Sequence, residues 1–268
     1  MDNKYLQGEA IYGDDFTVGQ IEKWYQEETE AYADLGSKET DQYVYGYDAL
    51  NTLHGFNYIK GKRFENALGL GAAYGQEYMP IIDQISNIHI IEPSDNLRSD
   101  KLGNITPVYV KPTITGKIEY PDNSFDLVTS FGTLHHTPNV SYIITELHRV
   151  TKPGGYILLR EPIISMGDWE KPRKGLTKNE RGIPLQVFRK LFNKLNVEII
   201  HEGPCFCMTA FFQRTWIRFS KKPIFTYKAY VWFDSILSKA LSWNLRYHAT
   251  KKPQRIAPQS VFYVLKKR

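Results

Sequence analysis

Between residues 122 and 162 the chain reads DNSFDLVTSFGTLHHTPNVSYIITELHRVTKPGGYILLREP. An apolar run, a polar loop, a stretch with apolar residues at helical spacing, a Gly-Gly turn and a second apolar run follow in order. That order predicts a strand, a helix and a second strand. Ligands of open α/β sheets bind where strands end and loops begin. His135 and His136 stand at the exit of the first of these strands.

The rest of the chain repeats the pattern. Residues 15–35 read as an amphipathic helix, with Thr17 or Asp15 as cap, Ile21, Trp24 and Tyr25 at helical spacing, and Gly36 as its stop. A weaker helical stretch spans 41–58. Short apolar runs at 64–71, 88–91, 108–111, 125–130 and 156–160 predict five strands, with helices over 73–85 and 139–150. A helix over 185–195, a strand over 197–200 and a last strand over 260–267 follow. Strand–helix alternation with short links predicts a Rossmann-like, doubly wound α/β fold. The 268 residues suffice for one domain with embellishments. Its expected parts are an N-terminal helical lid (1–60), a core (61–207), an aromatic, basic helical insertion (208–258) and the last strand (259–268).

Charge is distributed unevenly. From Arg214 onward there are thirteen basic residues and one acid, Asp234, whereas the rest of the chain carries a net negative charge. A mildly acidic body with a basic, aromatic tail points to a partner rather than to a fold. Three readings stand for the tail: a substrate cap or dimer surface, a lipid headgroup interface, and, less favoured, nucleic acid. No apolar run reaches the ~20 residues of a membrane span. The opening MDNKYLQGEAIYGDD has no basic and apolar leader pattern, so a cytoplasmic protein is expected. Cys205 and Cys207 read as two reduced thiols, and no metal site is expected.

Three groups of residues carry candidate chemistry. The first, ALGLGAAYG (67–75), follows a strand; small residues at Gly69, Leu70, Gly71, Ala72 and Ala73 let a ligand approach the main chain. A tight turn without a ligand is the alternative. Glu92 ends the second strand, placed as an acid that grips ribose hydroxyls, with Pro93 beside it; a solvated strand-end Glu is the alternative. The third is Phe131-Gly132-Thr133-Leu134-His135-His136. A histidine there suits a proton acceptor with an ordinary pKa near 6.5. Equally, one His packs under the loop and the other caps the next helix.

FDLV, the 131–136 loop and ELHRVTKPGG together resemble class I S-adenosylmethionine (SAM) methyltransferases, especially those acting on small molecules and quinones. The resemblance covers roughly residues 62–165. It implies a seven-stranded, mostly parallel sheet with an antiparallel last strand, and SAM as cofactor. It assigns the methionine part to Gly69–Ala73, the ribose to Glu92, and the reaction centre to the loop Phe131–His136. Two departures stand out: Ala67 replaces the usual acid of the first loop, and Thr113 or Thr115 replaces the Asp that commonly reads adenine. The polar stretch 167–184 reads either as a solvated loop or as a lid whose Arg173, Thr177, Glu180 and Arg181 meet an acceptor. This loop, the N-terminal helix and the tail resemble methyltransferases of polysaccharide and surface-glycan biosynthesis. The implied reaction is methylation of a sugar or glycan-precursor hydroxyl, the acceptor being lipid-linked in one version. A quinone or other small metabolite is the nearer alternative, and a non-catalytic binding module the remoter one. A homodimer and contact of the tail with a membrane's inner face complete the expectations.

Overall fold

The computed structural model describes residues 3–36, 45–167, 176 and 179–268, with the backbone alone over 29–36. In chain order the elements are α1 (Asn3–Leu6), α2 (Val18–Gly36), α3 (Asp48–His54), β1 (Phe64–Leu70), β2 (Ile85–Ile91), β3 (Val108–Val110), β4 (Phe125–Phe131) and α4 (Val140–Val150). Then come β5 (Thr151–Pro162), α5 (Leu185–Lys194), β6 (Val197–Cys205), α6 (Thr209–Trp216), α7 (Lys228–Ala240) and β7 (Ser260–Lys267). The seven strands form one sheet in the order β3-β2-β1-β4-β5-β7-β6. The first five run parallel, and β7 is antiparallel to both neighbours. The expected seven-stranded Rossmann-like sheet is the one observed.

Alternation along the strands makes two cores. Leu68, Val128, Ile157 and Leu159 face one way and pack with Ile143 and Leu147 of α4 and Phe188 and Phe192 of α5. Ala67, Leu127 and Leu158 face the other way and pack with Phe56, Tyr78 and Phe262. Period-two alternation assigns each residue of a central strand to one face. Because β1 to β5 are parallel, their C-terminal ends share one edge of the sheet, and the glycine loop, Glu92 and the two histidines all lie along it.

The structure differs from expectation in the first crossover. Residues 73–85 are not an α-helix; Gln76–Gln84 forms 3₁₀ turns broken at Ile81, and β2 begins at Ile85. Pro80 lies inside that stretch. It has no N–H to donate and its ring crowds the preceding turn, so an α-helix cannot run through it. The weaker stretch 41–58 is α3 plus a 3₁₀ turn over Phe56–Ile59, its first part lying outside the described residues.

In the 208–258 insertion, Asp234 of α7 accepts hydrogen bonds from the main-chain N–H groups of Phe206 and Cys207, tying α7 to the end of β6. The outer side of this insertion exposes Phe211, Ile217, Phe219, Trp232 and Trp243 among the basic residues Arg214, Arg218, Lys221, Lys222 and Lys239. Among the described residues, no helix is long and apolar enough to cross a membrane.

Helix α3 docks through a pair of imidazoles. His54 Nδ1 and His201 Nε2 lie 3.4 Å apart, with Phe262 stacked on His54 and Tyr58 on His201. Burial, together with the mutual repulsion of the rings and Lys239, pushes the His54 pKa down to about 4; burial and Lys239 do the same to His201. The unfolded chain takes up these protons near pH 6.5 while the folded protein refuses them until about pH 4. Stability from this pair is therefore present above pH ~6.5 and lost as pH falls towards 4. Urea-unfolding midpoints measured from pH 7 to 4 should fall in the wild type and fall less steeply in His201→Asn; equal slopes would refute this assignment.

Candidate active site

The glycine loop is tightly made. Gly71 has φ +64° and its amide donates to the carbonyl of Ile91, while any Cβ on it would collide with Thr133. Ala73 takes φ +46°, an uncommon conformation for a residue with a side chain. Its amide donates to Glu92 Oε2 (3.2 Å), and the Ser94 amide donates to Glu92 Oε1 (3.0 Å). Burial pushes the Glu92 pKa up, opposed by these two amides. Each carboxylate oxygen has a further lone pair, enough to receive a ribose diol. A carboxylate at the end of β2 beside a glycine-rich turn after β1 fits an adenosine.

A buried carboxylate near the start of the glycine loop, Glu77, was passed over by sequence reasoning. Ala67 is fully buried. Glu77 lies in the 3₁₀ segment, and its Oε1 accepts from the Thr129 hydroxyl at 2.6 Å. Thr129 pairs with Gly69 across β1 and β4, and the Tyr78 hydroxyl lies 2.7 Å from the same Thr129 oxygen. Burial pushes the Glu77 pKa up to about 7, despite the Thr129 hydrogen bond and the field of Arg160. The only signal in the sequence is that Glu77 is the one acid between Ala67 and Ile82.

Beyond β4, the loop is organised by Glu161 at the end of β5. Its Oε1 accepts from the amides of Thr133 (3.0 Å) and Leu134 (2.9 Å), and its Oε2 from the amide and Nδ1 of His135 (3.3 and 2.8 Å). On the ring's other side, His135 Nε2 stands 3.5 Å from Glu180 Oε1. Burial opposes a charge on His135, but hydrogen bonding to Glu161 and Glu180 outweighs it and pushes the pKa up to about 9. His135 therefore holds its proton at neutral pH, unlike a histidine of ordinary pKa, and positions rather than accepts. His136 Nδ1 lies 3.4 Å from Glu28 Oε2 of α2, and the two imidazole rings are 4.0 Å apart.

Residues 67–159 match the family model described as a methyltransferase domain. The match runs from within β1 to within β5, about a third of the chain, and includes the glycine loop and the 131–136 loop. Phosphoethanolamine N-methyltransferase 2 of Caenorhabditis elegans is 27% identical over 136 residues, 42% of this chain and 31% of that protein. The demethylmenaquinone methyltransferase of Geobacillus kaustophilus is 38% identical over 60 residues, 22% of this chain and 24% of that protein. The chain thus spans under a third of the length of the curated relatives it matches. The solved structure of Haemonchus contortus phosphoethanolamine N-methyltransferase 2, a complex with phosphomonomethylethanolamine and S-adenosylhomocysteine, superposes with a TM-score of 0.51 at 15% identity. The superposition covers 81% of this chain and 52% of that one, and the similarity is one of fold.

The remaining sequence-picked residues fall in several places. Gly132 continues the β4–β5 ladder by donating to the Arg160 carbonyl, and Phe131 lies under the Arg160 guanidinium. The Thr113 hydroxyl donates to the Lys117 carbonyl after β3, and Pro93 accepts from Lys111 through its carbonyl. Arg173 and Thr177 lie outside the described residues. Glu180 joins the histidine cluster. Arg181 does not stand open to an acceptor: it is fully buried, and its guanidinium donates to the carbonyls of Tyr12, His135, Thr137 and Pro138 at 2.9–3.0 Å. It ties the N-terminal segment to the β4 loop. Replacing it by Met would strand those carbonyls, at about 1–3 kcal/mol for each buried group left unsatisfied. Arg181→Met should thus lower unfolding stability by roughly 3 kcal/mol or more in denaturant titration; a loss under about 0.5 kcal/mol, the scale of an ordinary surface change, would refute this role.

Proposed function

We propose that this methyltransferase domain transfers the methyl group of SAM to a hydroxyl of a small polyhydroxylated acceptor, a sugar or glycan precursor. The observation that carries the reading is the junction of two half-sites at Gly71 and Thr133. The Glu92 cradle lies on one side and the Glu161–His135–Glu180 row on the other. When bound, SAM supplies an electrophilic methyl group on a cationic sulfonium. Gly69–Ala73 would hold its methionine part, Glu92 its ribose, and Phe131 with Gly132 the wall towards the acceptor. Glu77 stands in for the acid lost at Ala67.

The acceptor class follows from the wall beyond Thr133. Carboxylates and imidazoles favour hydroxyl groups, which donate and accept hydrogen bonds. A quinone ring calls for mainly apolar walls. The demethylmenaquinone methyltransferase relative keeps quinone methylation as the second reading.

Calorimetry should detect SAM binding to the purified chain. Glu92→Ala should weaken it by at least about 1 kcal/mol, roughly fivefold, the scale of a lost charged hydrogen bond. No binding at millimolar SAM would sink the enzyme reading. Radiolabelled methyl transfer to nucleotide-sugar and free-sugar acceptors, in preference to a demethylated quinol, would support the acceptor class; transfer to the quinol alone would overturn it.

The exposed aromatic and basic side of residues 211–243 suits a membrane's anionic headgroup layer, where Trp and Lys/Arg sit together. That contact would bring the domain to a lipid-linked acceptor. Flotation with vesicles containing anionic lipid should recover the chain at low salt and lose it at high salt, and Trp232→Ser with Trp243→Ser should weaken it. Equal recovery on neutral vesicles, or none, would dismiss the contact.

A further inference from the structure

The geometry points to a binding site for one divalent first-row transition metal ion, of the zinc class, formed by His135 Nε2, His136 and Glu180, with the buried Glu28 beside His136. These residues come from the β4 loop, the segment before α5, and α2. Donor atoms of His135, His136 and Glu180 all lie within 4.8 Å of one another.

The His135–Glu180 contact is long for a charge-assisted hydrogen bond and leaves room for a shared ion. His135 Nε2 is 3.5 Å from Glu180 Oε1, and His136 Nδ1 is 3.4 Å from Glu28 Oε2. Charge-assisted N–H···O bonds close to about 2.7–2.9 Å, as His135 and Glu161 do at 2.8 Å. Two ligands each about 2.0–2.1 Å from a tetrahedral ion stand about 3.3–3.4 Å apart. The His135–Glu180 pair sits near that edge length.

Three further observations agree. Glu161 accepts from His135 Nδ1, the arrangement by which a carboxylate orients a metal-bound imidazole and leaves Nε2 for the ion. Glu28 is 4% exposed, and neither of its carboxylate oxygens has a hydrogen-bond partner. A buried carboxylate without hydrogen bonds is costly unless a cation faces it. Charge gives the third. Glu28, Glu161 and Glu180 are all buried, while Arg181 brings one positive charge and spends its donors on carbonyls. Asp14 is taken up by the amide and hydroxyl of Ser141 at the start of α4. Once the ion has displaced the His135 proton, Glu28, Glu161, Glu180 and Arg181, among the described residues, sum to two negative charges, matching one divalent ion. Two imidazoles among the ligands select zinc, cobalt, iron or nickel over magnesium and calcium, which take oxygen donors.

The ion would displace the proton on His135 Nε2 and could polarise an acceptor hydroxyl. Only that last role rests on the methyltransferase reading. The test uses the full chain stripped with chelator and titrated with Zn²⁺ by calorimetry, and with Co²⁺ by visible absorption and NMR. We expect one equivalent to bind, with Co²⁺ shifting the ring signals of two of the seven histidines, assigned by substitution to His135 and His136. Glu28→Gln and His136→Ala, checked for folding by circular dichroism, should bind at least tenfold more weakly. Wild-type chain that binds no equivalent at ~1 mM metal, shifts at His54 or His201 instead, or a folded Glu28→Gln with unchanged affinity would each overturn the site. SAM titrated into the same preparations separates the two claims. Metal binding without SAM binding leaves this site standing and removes the enzyme reading, and SAM binding without metal does the reverse.

Discussion

The arrangement of the candidate site depends on one carboxylate. Glu161 is 1% exposed, and burying its charge is tolerable only because three main-chain amides and one imidazole converge on it. Those amides belong to Thr133, Leu134 and His135, so the β4 loop is fastened to the neighbouring strand rather than left to its own turn geometry. The Gly132 amide already bonds to the Arg160 carbonyl, extending the β4–β5 ladder into the loop. The position of His135 is thereby fixed by strand register. Its Nδ1 is taken, and only Nε2 remains to face Glu180 and His136.

Successive residues of a strand point to opposite faces, and the pair Arg160-Glu161 makes two polar centres from that rule. Glu161 goes to the face of α4 and α5. Arg160 goes to the other, where its guanidinium donates to Asn51 (3.1 Å) and stacks 4.0 Å over Tyr47. The field of Arg160 also reaches Glu77. One dipeptide thus roots the histidine cluster on one side of the sheet and the docking of α3 on the other. Both centres lie at the edge where the parallel strands end, which is why the glycine loop can lie beside each of them.

The strands were legible because short apolar runs bounded by Gly, Pro and polar clusters report on strands directly. β5 and β6 were read too short, at 156–160 and 197–200, since their outer residues are polar but still paired. The first crossover was misread for a physical reason: Tyr78, Ile81 and Ile82 repeat at helical spacing, yet Pro80 among them forbids the helix. At the site, the loop at 131–136 was legible as a place for chemistry, whereas its electrostatics were not. The carboxylates that hold His135 lie 26 and 45 positions away, and nothing local announces them. Arg181 illustrates the opposite error. Its charge suggested an acceptor contact, but the fold buries it whole and spends its donors on main-chain carbonyls.

The departure at Ala67 shows how such a misreading resolves. Ala67 packs in the apolar layer with Phe64 and Tyr78. The 3₁₀ turns caused by Pro80 carry Glu77 back over the strand ends instead, to Thr129 opposite Gly69. On the proposed reading, Glu77 supplies from the segment after the loop the charge that the strand lacks. Burial holds it near neutrality, with a pKa of about 7, until something cationic lies alongside. On the proposed reading, the sulfonium and ammonium of SAM are such cations, and ionising Glu77 against them needs little free energy at neutral pH. The unusual crossover and the unusual glycine loop are then one adaptation, since the proline that breaks the helix also places the replacement acid.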